Sequence, residues 1–364
     1  MVKHLQYSPT RPFNELPLLP PRFPLTPAVY SKTIAANKAL AELKGMALLI
    51  PNQTIILNSL LLIEAKESSG IENIVTTHDM LYKAFSADTT LDPAVKEVLR
   101  YRKALWAGYQ AVKKKGLITL REMVHIQEQL VANNAGIRQQ PGTALRNART
   151  GEVIYTPPSG KKVIEDKLKN LEHYLNDDRD NFDPLIKMCV MHYQFEAIHP
   201  FYDGNGRTGR ILNVLYLIHM GLLDLPILYM SSYIIKHKKQ YYEGLQYVRS
   251  GNEWEKWVIY MLGVIEHTSL NTIKTIKGIR NLLDKAIDKV KDELPKIYSK
   301  ELVEALFQQP YCRIATLEET LGISRFTASK YLKELESIGL LKGEKAGRDM
   351  LYINKALFNL LKEQ

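Results

Sequence analysis

The sequence predicts a mostly α-helical protein with one β-hairpin in its middle and a helix-turn-helix plus second hairpin at its C-terminus. Three observations carry this expectation. Apolar residues recur at helical spacing, as in Ile211, Leu212, Leu215 and Ile218, and again in Ile279, Leu283, Ile287, Val290 and Leu294. Two short runs, 145–149 and 152–156, flank the turn Thr150-Gly151 and stop at Pro157-Pro158. Three helical segments with a Gly322-Ile323-Ser324 turn precede 340–353, which alternates around a charged glycine turn. Together they describe a winged helix-turn-helix.

Along the chain, residues 1–28 hold Pro9, Pro12, Pro17, Pro20, Pro21, Pro24 and Pro27 and are expected to run extended over the surface. Helical patterning covers 31–43 and, after Pro51, 58–67. Residues 79–134 alternate helices with polar joints, where Asp92-Pro93 reads as an N-cap and Thr119 to Glu122 as a capping box. After the hairpin, helices are expected over 161–175, 184–197, up to about 220, 232–249 and 252–270. A separate connecting helix is expected over 273–296, then helices over 299–308, 316–321 and 325–338. The expected units are an N-terminal helical region (1–110), a central unit (111–270), a linker helix (271–297) and a C-terminal unit (298–364).

A chain of 364 residues can bury a sizeable core, and 45% hydrophobic with 24% charged residues is ordinary for a globular protein. The net charge of +10 suits an anionic ligand without separating a nucleotide from a nucleic acid. The two cysteines, Cys189 and Cys312, are far apart and form no Cys-x-x-Cys pattern. That argues against a disulfide scaffold or zinc site and fits a reducing cytoplasm. No apolar run reaches membrane-span length, since the nearest, 46–63, is broken by Pro51-Asn52-Gln53. A soluble, cytoplasmic protein is expected.

The chain is organised around Phe195-Glu-Ala-Ile-His-Pro-Phe-Tyr-Asp-Gly-Asn-Gly-Arg-Thr-Gly-Arg210. A polar, glycine-broken loop that runs into an amphipathic helix makes an anion site at a helix N-terminus. His199 is a candidate general base. Asp203 offers one hard oxygen ligand, which is how Mg²⁺ is usually held beside substrate phosphates. Gly204-Asn205-Gly206 lets backbone N–H groups approach phosphate oxygens, and Arg207 and Arg210 lie three apart at a helix start. No Gly-x-x-x-x-Gly-Lys-Ser/Thr occurs, which disfavours an ordinary P-loop NTPase.

His199 to Arg210 resembles the signature of the Fic family over its full length. The similarity extends over much of 30–265, which implies a Fic-type helical domain with a β-hairpin flap. Members of this family mostly transfer AMP from ATP to protein hydroxyls. The resemblance implies that His199 deprotonates a target tyrosine, threonine or serine and that Asp203 holds Mg²⁺ bridging the α- and β-phosphates. Gly204, Asn205 and Gly206 would form the anion hole, with Arg207, Thr208, Gly209 and Arg210 completing the ATP site. The flap (Arg149, Val153, Ile154, Tyr155, Thr156) would clamp the target by strand addition. Lys236, Tyr241 and Tyr242 would border the adenine, while Phe201 packs beneath the loop.

Taken alone, Ser68-Ser-Gly-Ile-Glu-Asn73 reads as a helix end with a solvated glutamate. The resemblance makes it the family's inhibitory motif, with Ser68, Glu72 and Asn73 in the characteristic places. Glu72 would then pair with Arg210 and stand at the γ-phosphate position, holding ATP in an unproductive pose. In some relatives this glutamate also supports removal of AMP.

The C-terminal unit leaves target docking, homodimer formation and DNA binding open. Six basic residues (Arg325, Lys330, Lys333, Lys342, Lys345, Arg348) face three acidic ones (Glu334, Glu336, Glu344). Two classes of function follow: an autoinhibited protein adenylyltransferase, or a DNA-binding regulator whose central domain senses nucleotide.

Overall fold

The computed structural model describes residues 7–86, 92–147, 149–177, 179, 182–346 and 349–363. Phe13, Leu16 and Leu19 are buried. The Phe13 N–H donates to the Thr156 carbonyl (3.0 Å), and Lys167 and Gln194 donate to the carbonyls of Leu16 and Pro17. The proline-rich segment, expected to lie over the surface, is thus partly threaded into the core, because its apolar residues need burial and its carbonyls find donors.

The chain then forms α1 (Pro27–Ala47), α2 (Gln53–Ile71), α3 (His78–Ser86), α4 (Pro93–Lys115) and α5 (Leu120–Val131). The hairpin follows as β1 (Leu145–Arg146) and β2 (Val153–Tyr155). Next come α6 (Lys161–Leu175), α7 (Pro184–Ile198), α8 (Asn205–His219), α9 (Ser231–Lys236), α10 (Lys238–Gly251) and α11 (Trp254–Glu293). The C-terminal part holds α12 (Lys300–Ala305), β3 (Tyr311–Cys312), α13 (Ile314–Leu321), α14 (Arg325–Ser337), β4 (Lys342–Ala346), β5 (Asp349–Ile353) and α15 (Lys355–Lys362). The expected caps at Asp92 and Thr119 form, accepting from the Ala94 and Glu122 N–H groups, but the Glu122 carboxylate pairs with Lys115 and leaves the expected capping box half made.

Helices α7 and α8 are buried almost all round, so they are the centre of the fold. They pack on each other, with α4 and α5 against α8, α6 and α11 against α7, and α2 over α4. No described helix is long and apolar enough to cross a membrane.

Two expected helices are one. Residues 252–270 and the linker 273–296 merge into α11, a single helix of 40 residues. The threonines that look like a joint are satisfied inside the helix. Thr268, Thr272 and Thr275 donate to the carbonyls of Val264 (2.7 Å), Thr268 (2.7 Å) and Asn271 (3.1 Å). Conversely, the expected helix 232–249 breaks at His237 (φ −121°) into α9 and α10.

In the C-terminal part, strand order β3-β5-β4 with α12, α13 and α14 matches the expected winged layout. Arg348, counted above among its basic residues, lies outside the described residues. The unexpected α15 buries Leu357 and Leu361 and packs on α11. Tyr311 stacks on Tyr82 of α3 (6.0 Å between ring centroids) and donates to Asp79 (2.6 Å).

A proline at the exposed Lys274 would remove a hydrogen bond from the middle of α11 and cost roughly 3 kcal/mol. Lys274→Pro should lower the calorimetric melting temperature and split the transition in two. An unchanged single transition would contradict a continuous α11.

Candidate active site

The loop that joins α7 to α8 is fixed by its own side chains. Helix α7 ends at His199, whose left-handed backbone (φ 48°, ψ 59°) turns the chain sharply. Gly204 is also left-handed (φ 78°) and leads into α8. Asn205 clamps the loop with both ends of its amide: its Oδ1 accepts from the Phe201 N–H and its Nδ2 donates to the Phe201 carbonyl, each at 2.8 Å. Its side chain therefore shapes the turn and leaves the backbone N–H as the group that can face an anion. Phe201 is fully buried beneath the loop, as expected. Arg138, 1% exposed, donates to the carbonyls of His199 (2.7 Å), Ile198 and Pro158. It lies in no motif, and sequence reasoning missed it.

Burial pushes the His199 pKa down to about 3, reinforced by the cations of Arg138 and Arg249. The ring is therefore neutral near pH 7, the form that can take a proton. Beneath the loop, Glu196 is buried, and burial raises its pKa to about 7 against the pull of Arg210. A Cβ on Gly209 would come within 2.5 Å of the Glu196 Oε1, so a side chain there would displace that carboxylate. Thr208 is fully buried.

The two arginines of α8 are almost completely buried, and both are bound to Glu72. The Glu72 carboxylate accepts from Arg210 Nη2 (2.9 Å) and Arg207 Nε (3.1 Å). Burial opposes the charge of Arg210, but Glu72 together with Tyr241, Tyr101 and Glu196 outweighs it and holds the pKa above its usual value. Arg207 also donates to Glu97 of α4 (2.8 Å) and Asp203 (3.3 Å). A Cβ on Gly206 would lie 2.6 Å from the Glu72 Oε1, so the carboxylate rests directly against the glycine turn.

The inhibitory-type motif explains itself residue by residue. Ser68, fully buried, accepts from Arg210 Nε through its hydroxyl (2.7 Å) and from Nη2 through its carbonyl (3.0 Å). Helix α2 closes as a Schellman motif, with Asn73 N–H to the Gly70 carbonyl (3.0 Å) and Ile74 N–H to the Ser69 carbonyl (3.1 Å). Asn73 takes the left-handed position (φ 65°), which asparagine tolerates. Lys238 of α10 donates to the Ile71 carbonyl (2.5 Å) at the same helix end. Further up α2, buried Glu64 accepts from Ser231 and Tyr101, anchoring the helix to α9 and α4.

The remaining expected site residues divide. In the flap, Ile154 is exposed and Arg149 lies in the exposed turn, while Val153 is half-buried. Tyr155 is fully buried with its hydroxyl on the Ala197 carbonyl (2.6 Å), and Thr156 donates to the Pro9 carbonyl (2.7 Å). The side chains of these two anchor the hairpin. Tyr241, expected at the adenine, is buried with its hydroxyl 2.9 Å from the His192 Nε2. Lys236 and Tyr242 are exposed. The Asp203 side chain is 66% exposed, and its Oδ1 accepts from the Gly204 N–H (2.6 Å). Among the described residues, no group of three or more His, Cys, Asp or Glu could hold a metal. A lone outward carboxylate suits an ion whose other ligands come with the substrate.

The Fic/DOC family matches residues 117–217, its N-terminal region matches 30–110, and the C-terminal domain of SoFic-like protein adenylyltransferases matches 282–357. The chain belongs to the Fic/DOC family. It is 33% identical over 101 residues to protein adenylyltransferase fic-1 of Caenorhabditis elegans, covering 27% of this chain and 18% of that one. It is 26% identical over 191 residues to a probable protein adenylyltransferase of Aquifex aeolicus, covering 52% and 54%. The same identity and length hold for protein adenylyltransferase Fic of Aedes aegypti, covering 51% and 36%. The chain thus spans about half or less of the length of these curated relatives. In fold it resembles a Fic family protein from Desulfovibrio desulfuricans, with TM-score 0.59 and 20% identity over 92% of this chain and 98% of that one.

The His199 ring should keep the NMR shifts of neutral imidazole down to about pH 4, whereas a solvated histidine protonates near ~6.5. A folded-state pKa below the unfolded value means that stability is present above ~6.5 and is lost as pH falls towards 3. Titration of His199 near ~6.5 in the folded protein would contradict the geometry. Gly206→Ala should displace Glu72, visible as faster amide exchange at Asn73 and Ile74; unchanged protection would show that Glu72 does not press on the turn.

Proposed function

We propose that the protein transfers AMP from ATP to tyrosine, threonine or serine hydroxyls of target proteins and of itself, releasing pyrophosphate, and that Glu72 restrains this activity. One observation carries the reading: a carboxylate already occupies the cradle made by Gly206, Arg207 and Arg210. A site that holds one anion on two buried guanidinium groups at a helix N-terminus suits phosphate oxygens. The names of the relatives supply the reaction class.

In this reading the neutral His199 accepts the proton of the target hydroxyl. The freed oxygen bonds to the α-phosphorus as the bond to the β-phosphate bridging oxygen breaks, and pyrophosphate leaves. The Asn205 and Gly206 N–H groups and the two arginines stabilise the charge that develops on the phosphates. Asp203 would hold Mg²⁺, which neutralises phosphate charge. The exposed flap residue Ile154, beside the edge of β2, would meet the target segment.

A second reading concerns the C-terminal part. Arg325, Lys330 and Lys333 are all exposed along α14 and would suit a DNA backbone. Salt-dependent, sequence-selective binding of duplex DNA supports a regulator; its absence leaves target docking.

Incorporation of labelled AMP from Mg·ATP should rise at least about tenfold in Glu72→Gly and vanish in His199→Ala, since a missing general base costs roughly 10²–10⁴-fold. A folded Glu72→Gly protein that labels nothing, even with a cell lysate as target source, would overturn the adenylyltransferase reading.

A further inference from the structure

Arg207 is bound by three carboxylates, and the one on α4 is explained neither by the inhibitory motif nor by the loop. With Glu72 in place its side chain is 2% exposed, and three carboxylates from three parts of the chain hold it. The three partners divide the guanidinium between them. Glu72 accepts from Nε (3.1 Å), Asp203 from Nη2 (3.3 Å) and Glu97 from Nη1 (2.8 Å). Nε and Nη2 form one edge of the planar fork, the edge suited to bidentate binding of a carboxylate or phosphate. That edge faces Glu72, whose carboxylate rests against Gly206. Glu97 holds the opposite end.

Arg210 differs. It is held by the hydroxyl and carbonyl of Ser68 as well as by Glu72, all from α2. If the end of α2 withdraws, Arg210 loses every one of these contacts. Arg207 keeps Glu97, because α4 is a separate helix started by its own Asp92 cap and packed against α8.

We propose that Glu97 is a positioning residue that keeps the Nε–Nη2 edge of Arg207 aimed at the glycine turn once Glu72 has left, so that the fork meets the nucleotide phosphates already oriented. The proposal rests on the nucleotide-binding part of the reading above, but not on AMP transfer. Glu97 itself touches no substrate. Its effect passes through Arg207, whose freedom to swing would otherwise have to be lost when phosphate binds.

The test measures Mg·ATP binding by calorimetry in four proteins: Glu72→Gly alone, and Glu72→Gly with Glu97→Ala, with Glu97→Gln or with Glu97→Asp. Glu97→Ala should weaken binding about tenfold and raise KM for ATP in parallel, with kcat changed much less, as expected for lost preorganisation. Glu97→Gln keeps an oxygen acceptor for Nη1 and should stay within about threefold of the parent. Glu97→Asp, a milder change, should give an intermediate loss at an unaltered melting temperature and guards against misfolding of the alanine variant. Equal binding in all variants would overturn the proposal. So would a rise in AMP incorporation when Glu97→Ala is made with Glu72 intact, which would make Glu97 a second lock. If Glu72→Gly binds Mg·ATP but transfers nothing, AMP transfer fails while the role of Glu97 is still decided by binding. If Glu72→Gly binds no Mg·ATP, both fail.

Discussion

The site depends on one contact: the carboxylate of Glu72 held between two guanidinium groups that are each about 2% exposed. Burying two arginines is costly unless anions face them. Here the anion comes from the chain itself, at the end of a helix whose closing turn is fully hydrogen-bonded. Removing the carboxylate frees Arg210 Nη2 and the Nε of Arg207, while Glu97 and Asp203 still hold the rest of the Arg207 fork, and in the proposed reading a polyphosphate is the replacement. In the proposed reading, restraint and affinity for nucleotide are two consequences of the same buried charges.

The geometry that makes the contact possible is mostly backbone. His199, Gly204 and Asn73 all occupy left-handed positions, two at helix ends and one at a helix start. Each turns the chain so that a functional group faces the same small volume. Arg138 and Asn205 fix that backbone from within, by donating to loop carbonyls and bracketing Phe201. They touch the site only through the chain, yet the placing of His199 rests on them.

Much of this was legible because it is local. The sequence from His199 to Arg210 places a base, a carboxylate, a glycine turn and two cations at fixed spacing, and the inhibitory stretch lies at one helix end. The directions of side chains were not legible. The side chains of Asn205, Thr208 and Tyr241 are buried, which depends on what packs below them. Tyr155 and Thr156 read as flap residues, but burial makes them its anchors. Arg138 and Glu97 carry no signal in sequence, since each acts across more than sixty or one hundred positions. The joint expected near residue 271 vanished because threonine hydroxyls can bond within a helix, where hydropathy shows only a polar gap.

The most direct measurement compares calorimetric binding of inorganic triphosphate to the native protein and to Glu72→Gln. Triphosphate has no base or ribose, so it reports only on the cradle. The account predicts that the substitution strengthens binding at least about tenfold, because two buried guanidinium groups lose their charged occupant. Equal affinity in the two proteins would contradict it, and would mean that Glu72 and phosphate do not compete for Arg207 and Arg210.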